Sequence, residues 1–213
     1  MPFVKDAFQI QKAIGASRFD VRPVYYANLG ICSAKGEVFF RATEGDTVIF
    51  QNRLENVIVL DAGILAAILL RDPDARTNGM NMLAVGTGAT GSLLAPDAPD
   101  ARQRKLNAEI ARKPFSSTTF RDANGNAVAV PTNILDFTCT FEEGEAVGPL
   151  NEMGILSTIS SNPLVTNPNP NSFPTRDVTL DLTLYDVMVN YLSFGVLALP
   201  ATARLSITWR ISF

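Results

Sequence analysis

The sequence predicts a mainly β, β-sandwich-like fold with two short helices and an α+β character in its N-terminal part. Three observations carry that expectation. The closing segment alternates strictly, with Leu205, Ile207, Trp209 and Ile211 on one face and Ser206, Thr208, Arg210 and Ser212 on the other, the two-residue period of a half-buried strand. Further runs of β-branched and aromatic residues are punctuated by Gly, Asn and Asp turn signals. Only two stretches carry helical spacing instead.

Taken in order, residues 1–28 show weak periodicity, with Val4, Phe8 and Ile10 marking a short helix or an arm that packs on a neighbour; residues 1–34 are read as an N-terminal assembly segment and 35–213 as a β-rich domain. Residues 37–41 and 48–53 form a hairpin around the turn Glu44-Gly45-Asp46. Asp61 stands at an N-cap position before residues 62–70, which are apolar on nearly every face and read as a buried helix stopped by Asp72-Pro73. Residues 80–85 read as a buried strand leading into the glycine-rich turn 86–91. Leu106 and Ile110, four apart among charged residues, give residues 100–113 the pattern of a surface helix ended by Pro114. Strands follow at 116–121, 127–130, 134–141, 153–156, 179–185 and 205–213, with a turn at Asn124-Gly125. Four prolines, Pro163, Pro168, Pro170 and Pro174, make residues 157–174 a long exposed loop.

At 213 residues the chain can bury roughly 70–75% of its unfolded surface and needs no metal or disulfide to fold. Its net charge of −3 and scattered basic residues do not suggest nucleic-acid binding. The most apolar stretch, residues 57–70, is broken by Asp61 and falls short of the roughly 18–20 residues that span a membrane, so no membrane partner is expected. The N-terminus lacks the apolar core of a signal peptide, which points to synthesis and assembly in cytoplasm. Cys32 and Cys139 show no ligand-like spacing and are expected as free, buried thiols rather than a bridge.

The chemical motifs read mostly as structure. Gly86, Gly88 and Gly91 match G-x-G-x-x-G after a strand, but Pro96 and Pro99 occupy the place of the helix that would hold a pyrophosphate, so a structural turn is expected. The absence of histidine removes the commonest general base and metal ligand. Glu142, Glu143 and Glu145 could chelate Ca²⁺ or act as an acid/base pair, although a solvated loop end is the favoured reading. Arg102, Arg104, Lys105, Arg112 and Lys113 form a basic face whose default is solvation. Trp209 is expected as a buried anchor. No catalytic, cofactor-binding or metal-ligating residue is assigned.

Taken in order, the segments Met82-Leu-Ala-Val-Gly-Thr-Gly88, Leu106-Asn-Ala-Glu-Ile-Ala-Arg112, Phe137-Thr-Cys-Thr-Phe141, Glu145-Ala-Val-Gly148, Asn151-Glu-Met-Gly-Ile-Leu156 and Leu205-Ser-Ile-Thr-Trp-Arg-Ile-Ser-Phe213 form one pattern. It resembles the tail-fibre and tail-collar attachment domains of tailed phages. The resemblance implies a virion structural protein, assembled in the host cytoplasm, that acts as a homo-oligomer contacting neighbouring virion proteins of the tail, neck or baseplate. It implies structural roles for Gly86, Gly88, Glu109, Arg112, Glu152 and Gly154, and no enzymatic activity. The long loop after residue 157 and the lack of a fibre shaft after the closing strand favour a short adaptor, collar or baseplate component. A capsid- or neck-associated protein and a carbohydrate-binding β module are the alternatives; Phe173 is the only aromatic residue in the proline-rich loop, which weakens the second.

Overall fold

The computed structural model describes residues 34–71, 79–158 and 186–213. Residues 35–212 form one compact unit. Its described elements are β1 (Lys35–Glu44), β2 (Thr47–Ile58), α1 (Asp61–Arg71), β3 (Met82–Gly86), β4 (Glu109–Pro114), β5 (Ser117–Arg121), β6 (Ala127–Val128), β7 (Ile134–Phe141), β8 (Gly148–Thr158), β9 (Asp186–Leu199) and β10 (Ala203–Ser212). They hydrogen-bond in the order β4-β3-β8-β9-β2-β1-β10-β7-β5-β6, and every pair is antiparallel. The protein is therefore mainly β.

The hairpin expected from residues 37–53 is β1–β2, closed at Gly45 with φ of 55°, a left-handed conformation that glycine adopts without steric cost. The pairing steps from Ala42–Phe50 to Thr43–Val48, which leaves Ile49 as the extra residue of a bulge. Beyond the hairpin, β2 continues and pairs with β9 only through Val57 and Ile58. That one strand joins the two halves of the sheet.

Alternation in β10 places Leu205, Ile207, Trp209 and Ile211 in the core, each at most 1% exposed, as the sequence pattern requires. These side chains join Val38 and Phe40 of β1, Phe137 and Phe141 of β7, and Met153, Ile155, Val187 and Leu192 of β8 and β9 in one apolar cluster. Phe40 and Phe194 bring their ring centroids to 5.1 Å although β2 lies between their strands in the hydrogen-bonding order. A second cluster, Val59, Ala84, Leu106, Leu156, Met188 and Tyr191, lies apart from the first.

Several expectations need correction. The apolar segment after Asp61 is helical, but its described side chains are not all buried: Leu65 is in the core with Ala62 and Leu69 packed against it, whereas Gly63 and Ala66 are exposed. A helix lying on one side of β9 has a solvent side whatever its composition. Residues 100–113 form no helix: 101–108 turn irregularly and 109–114 are β4. The apolar spacing misled because Leu106 plugs the second cluster, while Glu109 and Arg112 are buried by pairing with each other instead of facing water. One helix, not two, is present among the described residues. The 14-residue β9 has no counterpart among the expected strands, since burial on both faces along most of its length erases the two-residue alternation. The arm 1–34 up to residue 33, the stop at Asp72-Pro73, most of the proline-rich loop and the strand expected at 179–185 lie outside the described residues. No helix among the described residues is long and apolar enough to cross a membrane.

Asp136 and Cys139 on β7 illustrate what this packing does to ionisable groups. Burial alone would raise the Asp136 pKa, but Arg210 (2.7 and 2.9 Å) and Arg121 (2.8 Å) donate to its carboxylate and together hold it below the ordinary 3.8. A carboxylate depressed on folding adds stability above its unfolded pKa, and that stability is lost as pH falls through 3.8 towards the folded value. Asp136→Asn should therefore be less stable at neutral pH and show a flatter loss of stability below about pH 4 in urea titrations; an unchanged acid limb would contradict the linkage. Burial pushes the free Cys139 thiol up to about 12. In a Cys32→Ser background, Cys139 should resist thiol reagents at mildly alkaline pH until the protein unfolds; prompt labelling of the native state would show that β7 is not closed over it.

Candidate functional site

β3 and β4 are adjacent and antiparallel, a pairing that a turn of two to five residues would close, yet residues 87–108 intervene. Connections of that length in compact domains are commonly functional. Here the connection is strapped across the sheet, and the strap is organised by one carboxylate.

Glu152, on β8, is fully buried. Its Oε1 accepts from the backbone N–H of Gly88 at 3.0 Å and of Ala108 at 2.8 Å; its Oε2 accepts from the N–H of Asn107 at 3.1 Å and the hydroxyl of Tyr191 at 2.9 Å. Both ends of the strap thus hang from a single side chain. Its neighbour Asn151 accepts from the N–H of Ala89 at 3.0 Å, Thr87 donates to the carbonyl of Ala108 at 2.9 Å, and Asn107 Nδ2 donates to the Gly88 carbonyl at 3.1 Å. Further along, Ser193 Oγ donates to the Asp97 carbonyl and Val196 N–H to that of Leu93, each at 2.8 Å. Leu60 N–H donates to the Ala101 carbonyl at 2.7 Å, and Arg104 Nε to Asp61 Oδ2 at 2.9 Å.

The glycines are where the strap and its neighbours come closest to the sheet. A Cβ on Gly86 would lie 2.5 Å from the Ala108 carbonyl oxygen, and one on Gly88 would overlap the Ala108 backbone. On Gly154 a Cβ would meet the Asn190 carbonyl at 2.9 Å and Leu106 at 3.1 Å. No larger residue fits these positions without moving backbone.

Beside the clamp lies a buried ion network. Arg112 on β4 donates through Nε and Nη2 to both oxygens of Glu109, and through Nη1 to Asp186 Oδ2 at 2.9 Å. Thr158 Oγ1 donates to the other Asp186 oxygen at 2.8 Å, and Thr158 and Asn81 exchange two hydrogen bonds. Burial alone would lower the Arg112 pKa, but the two carboxylates outweigh it and hold it above its usual range. Burial, reinforced by the Glu152 charge, likewise raises the Tyr191 phenol.

All six motif positions meet here. Gly86 lies opposite both Glu109 and Glu152 in the register, and Ala84 opposite both Arg112 and Gly154; Gly88 donates to Glu152. The amides of Gly88 and Ala89 that a nucleotide phosphate would occupy are taken by Glu152 and Asn151. The other sequence candidates lie elsewhere. Glu142, Glu143 and Glu145 stay together at a loop end, with Glu142 N–H donating to Glu145 at 2.8 Å, but Glu145 pairs with Lys113 and Glu142 with Arg204, each at 2.6 Å; the basic face is broken up, since Arg112 is buried and Arg104 pairs with Asp61. Trp209 is wholly buried. Among the described residues no group of three or more His, Cys, Asp and Glu is placed to hold a metal. Asn151, Asp186, Tyr191 and Ser193 belong to the site and carry no sequence signal beyond being polar residues in apolar runs, which is itself the hint that something buried needs them. Chemically, Glu152 has its lone pairs committed to four donors, and the arrangement secures backbone. No protein-family model and no curated protein matches the chain.

Removing an acceptor from buried donors costs about 1–3 kcal/mol per group left unpaired. Glu152→Ala should lower stability by about 4 kcal/mol and Glu152→Gln, which keeps one acceptor oxygen, by about 2 kcal/mol, with amide exchange at Gly88, Asn107 and Ala108 accelerated in both. Urea midpoints indistinguishable from those of the exposed control Glu143→Ala would refute the clamp.

Proposed function

We propose that this chain is a structural component of a tailed-phage virion, an adaptor, collar, baseplate or fibre-attachment subunit that works by assembling with copies of itself and with neighbouring virion proteins. The observation that carries the proposal is the convergence of all six motif positions on one strapped, charge-clamped corner of the sheet. The ordered motifs that resemble attachment domains are thereby the residues that hold a long surface connection in a set shape. A subunit needs such a feature, because an interface that must match its neighbours gains affinity from a surface ordered before contact.

We read the ten-stranded sheet as folded into a sandwich. The larger core cluster draws on strands from both halves of the order, from β4 to β7, and the Phe40–Phe194 contact bridges strands that are not hydrogen-bonded neighbours, which supports that reading. The exposed Leu93, Leu94, Val130 and Val147 leave apolar surface for other subunits to cover.

Light scattering on the purified full chain, with electron microscopy of the same sample, tests the proposal. Discrete symmetric oligomers are expected. A strict monomer throughout the micromolar range would count against self-assembly.

A further inference from the structure

The strap carries a feature its anchoring does not need. At its outermost point Leu93 and Leu94 are 70% and 90% exposed, and Leu94 is the most exposed large hydrophobic side chain among the described residues. They are held there. Ser92 N–H donates to the Ala95 carbonyl at 3.3 Å, Ala95 N–H to Ser92 Oγ at 3.0 Å, and Asp97 N–H to the Thr90 carbonyl at 2.8 Å, so the two leucines form the apex of a closed turn. Behind the apex the backbone is pinned to β9, with Leu94 O where a Gly195 side chain would stand, 3.0 Å from its Cβ position. A preorganised pair of leucines loses little entropy on docking and gains from burial.

The same chain presents a third exposed leucine elsewhere. Leu60 is 45% exposed where β2 passes into α1 and is bonded to the Ala101 carbonyl; the next residue, Arg102, is exposed with no ion-pair partner among the described residues, and its amide donates to the exposed Asp100 at 2.8 Å. The knob has the opposite rim: Asp97 is exposed and likewise has no ion-pair partner among the described residues. The knob is tied to β9 at Val196 and the Leu60 surface at Val189, through Val59, so the two lie roughly 20 Å apart along one strand. Two different patches separated in this way suit a head-to-tail contact, in which each copy gives its knob to one neighbour and its socket to the next.

We propose, resting on the assembly reading above, that Leu93 and Leu94 dock against Leu60 of a second copy, with Asp97 facing Arg102 across the contact. The repeat of this contact builds a ring or a filament. Its occupant is another copy of this chain because Leu60 offers the two leucines an apolar partner and the unpaired Arg102 is opposite in sign to the unpaired Asp97.

Sedimentation velocity at tens of micromolar full chain tests it, comparing the wild type with Leu93→Ser/Leu94→Ser, Arg102→Glu, and the swap Asp97→Arg/Arg102→Glu, with melting curves confirming that each folds. The first two variants should weaken association about tenfold or more, and the swap should restore it. An oligomer that persists in the knob variant overturns the contact while leaving self-assembly intact. A swap no better than Arg102→Glu alone overturns the Asp97–Arg102 pairing and with it the choice of socket. A monomeric wild type removes the assembly reading itself, and the contact with it.

Discussion

The arrangement of this protein's most distinctive region depends on one buried carboxylate. Glu152 accepts four hydrogen bonds, three of them from backbone amides at the two ends of a connection more than twenty residues long. A charge without water is tolerated only when its lone pairs are met, and here they are met by the chain segments that must be held. The clamp therefore works in both directions. The carboxylate is stabilised by the loop ends, and the loop ends are held by the carboxylate.

Its neighbour, the Glu109–Arg112–Asp186 network, makes a similar exchange at the level of strands. Glu109 and Arg112 come from β4 and Asp186 from the start of β9, so the network ties the edge of the sheet to its interior. Desolvating these ions has a large cost that ion pairing roughly offsets, and the network's contribution is better understood as position than as net stability. β4 can lie only where Arg112 meets both carboxylates.

These two devices make the outer region of the strap a defined surface and not a wandering loop. Leu93 and Leu94 stand on it as ordered apolar groups, in contrast to the many exposed aliphatic side chains that single out no partner on an ordinary surface. An apolar tip anchored in this way gives up little conformational freedom when it is covered. The motif residues thus govern the shape of this corner of the sheet.

What the sequence by itself determined is local. The two-residue period of β10, the hairpin of β1 and β2, the strand β7 and the helix after Asp61 were all legible, because each signal is written in neighbouring residues and decided by one buried face or one turn. The motif glycines and Glu152 could be named as structural positions, but not given partners. Tertiary structure alone decided the rest. Residues 109–114 have the composition of a surface helix and become a strand because Arg112 finds a carboxylate 74 residues away. β9 lost its alternation because both its faces are covered, and Tyr191 joined the site only once β8 lay beside it. Periodicity reports which side of a segment meets water; it carries no information about charges that leave water together, and in this protein those charges set the architecture.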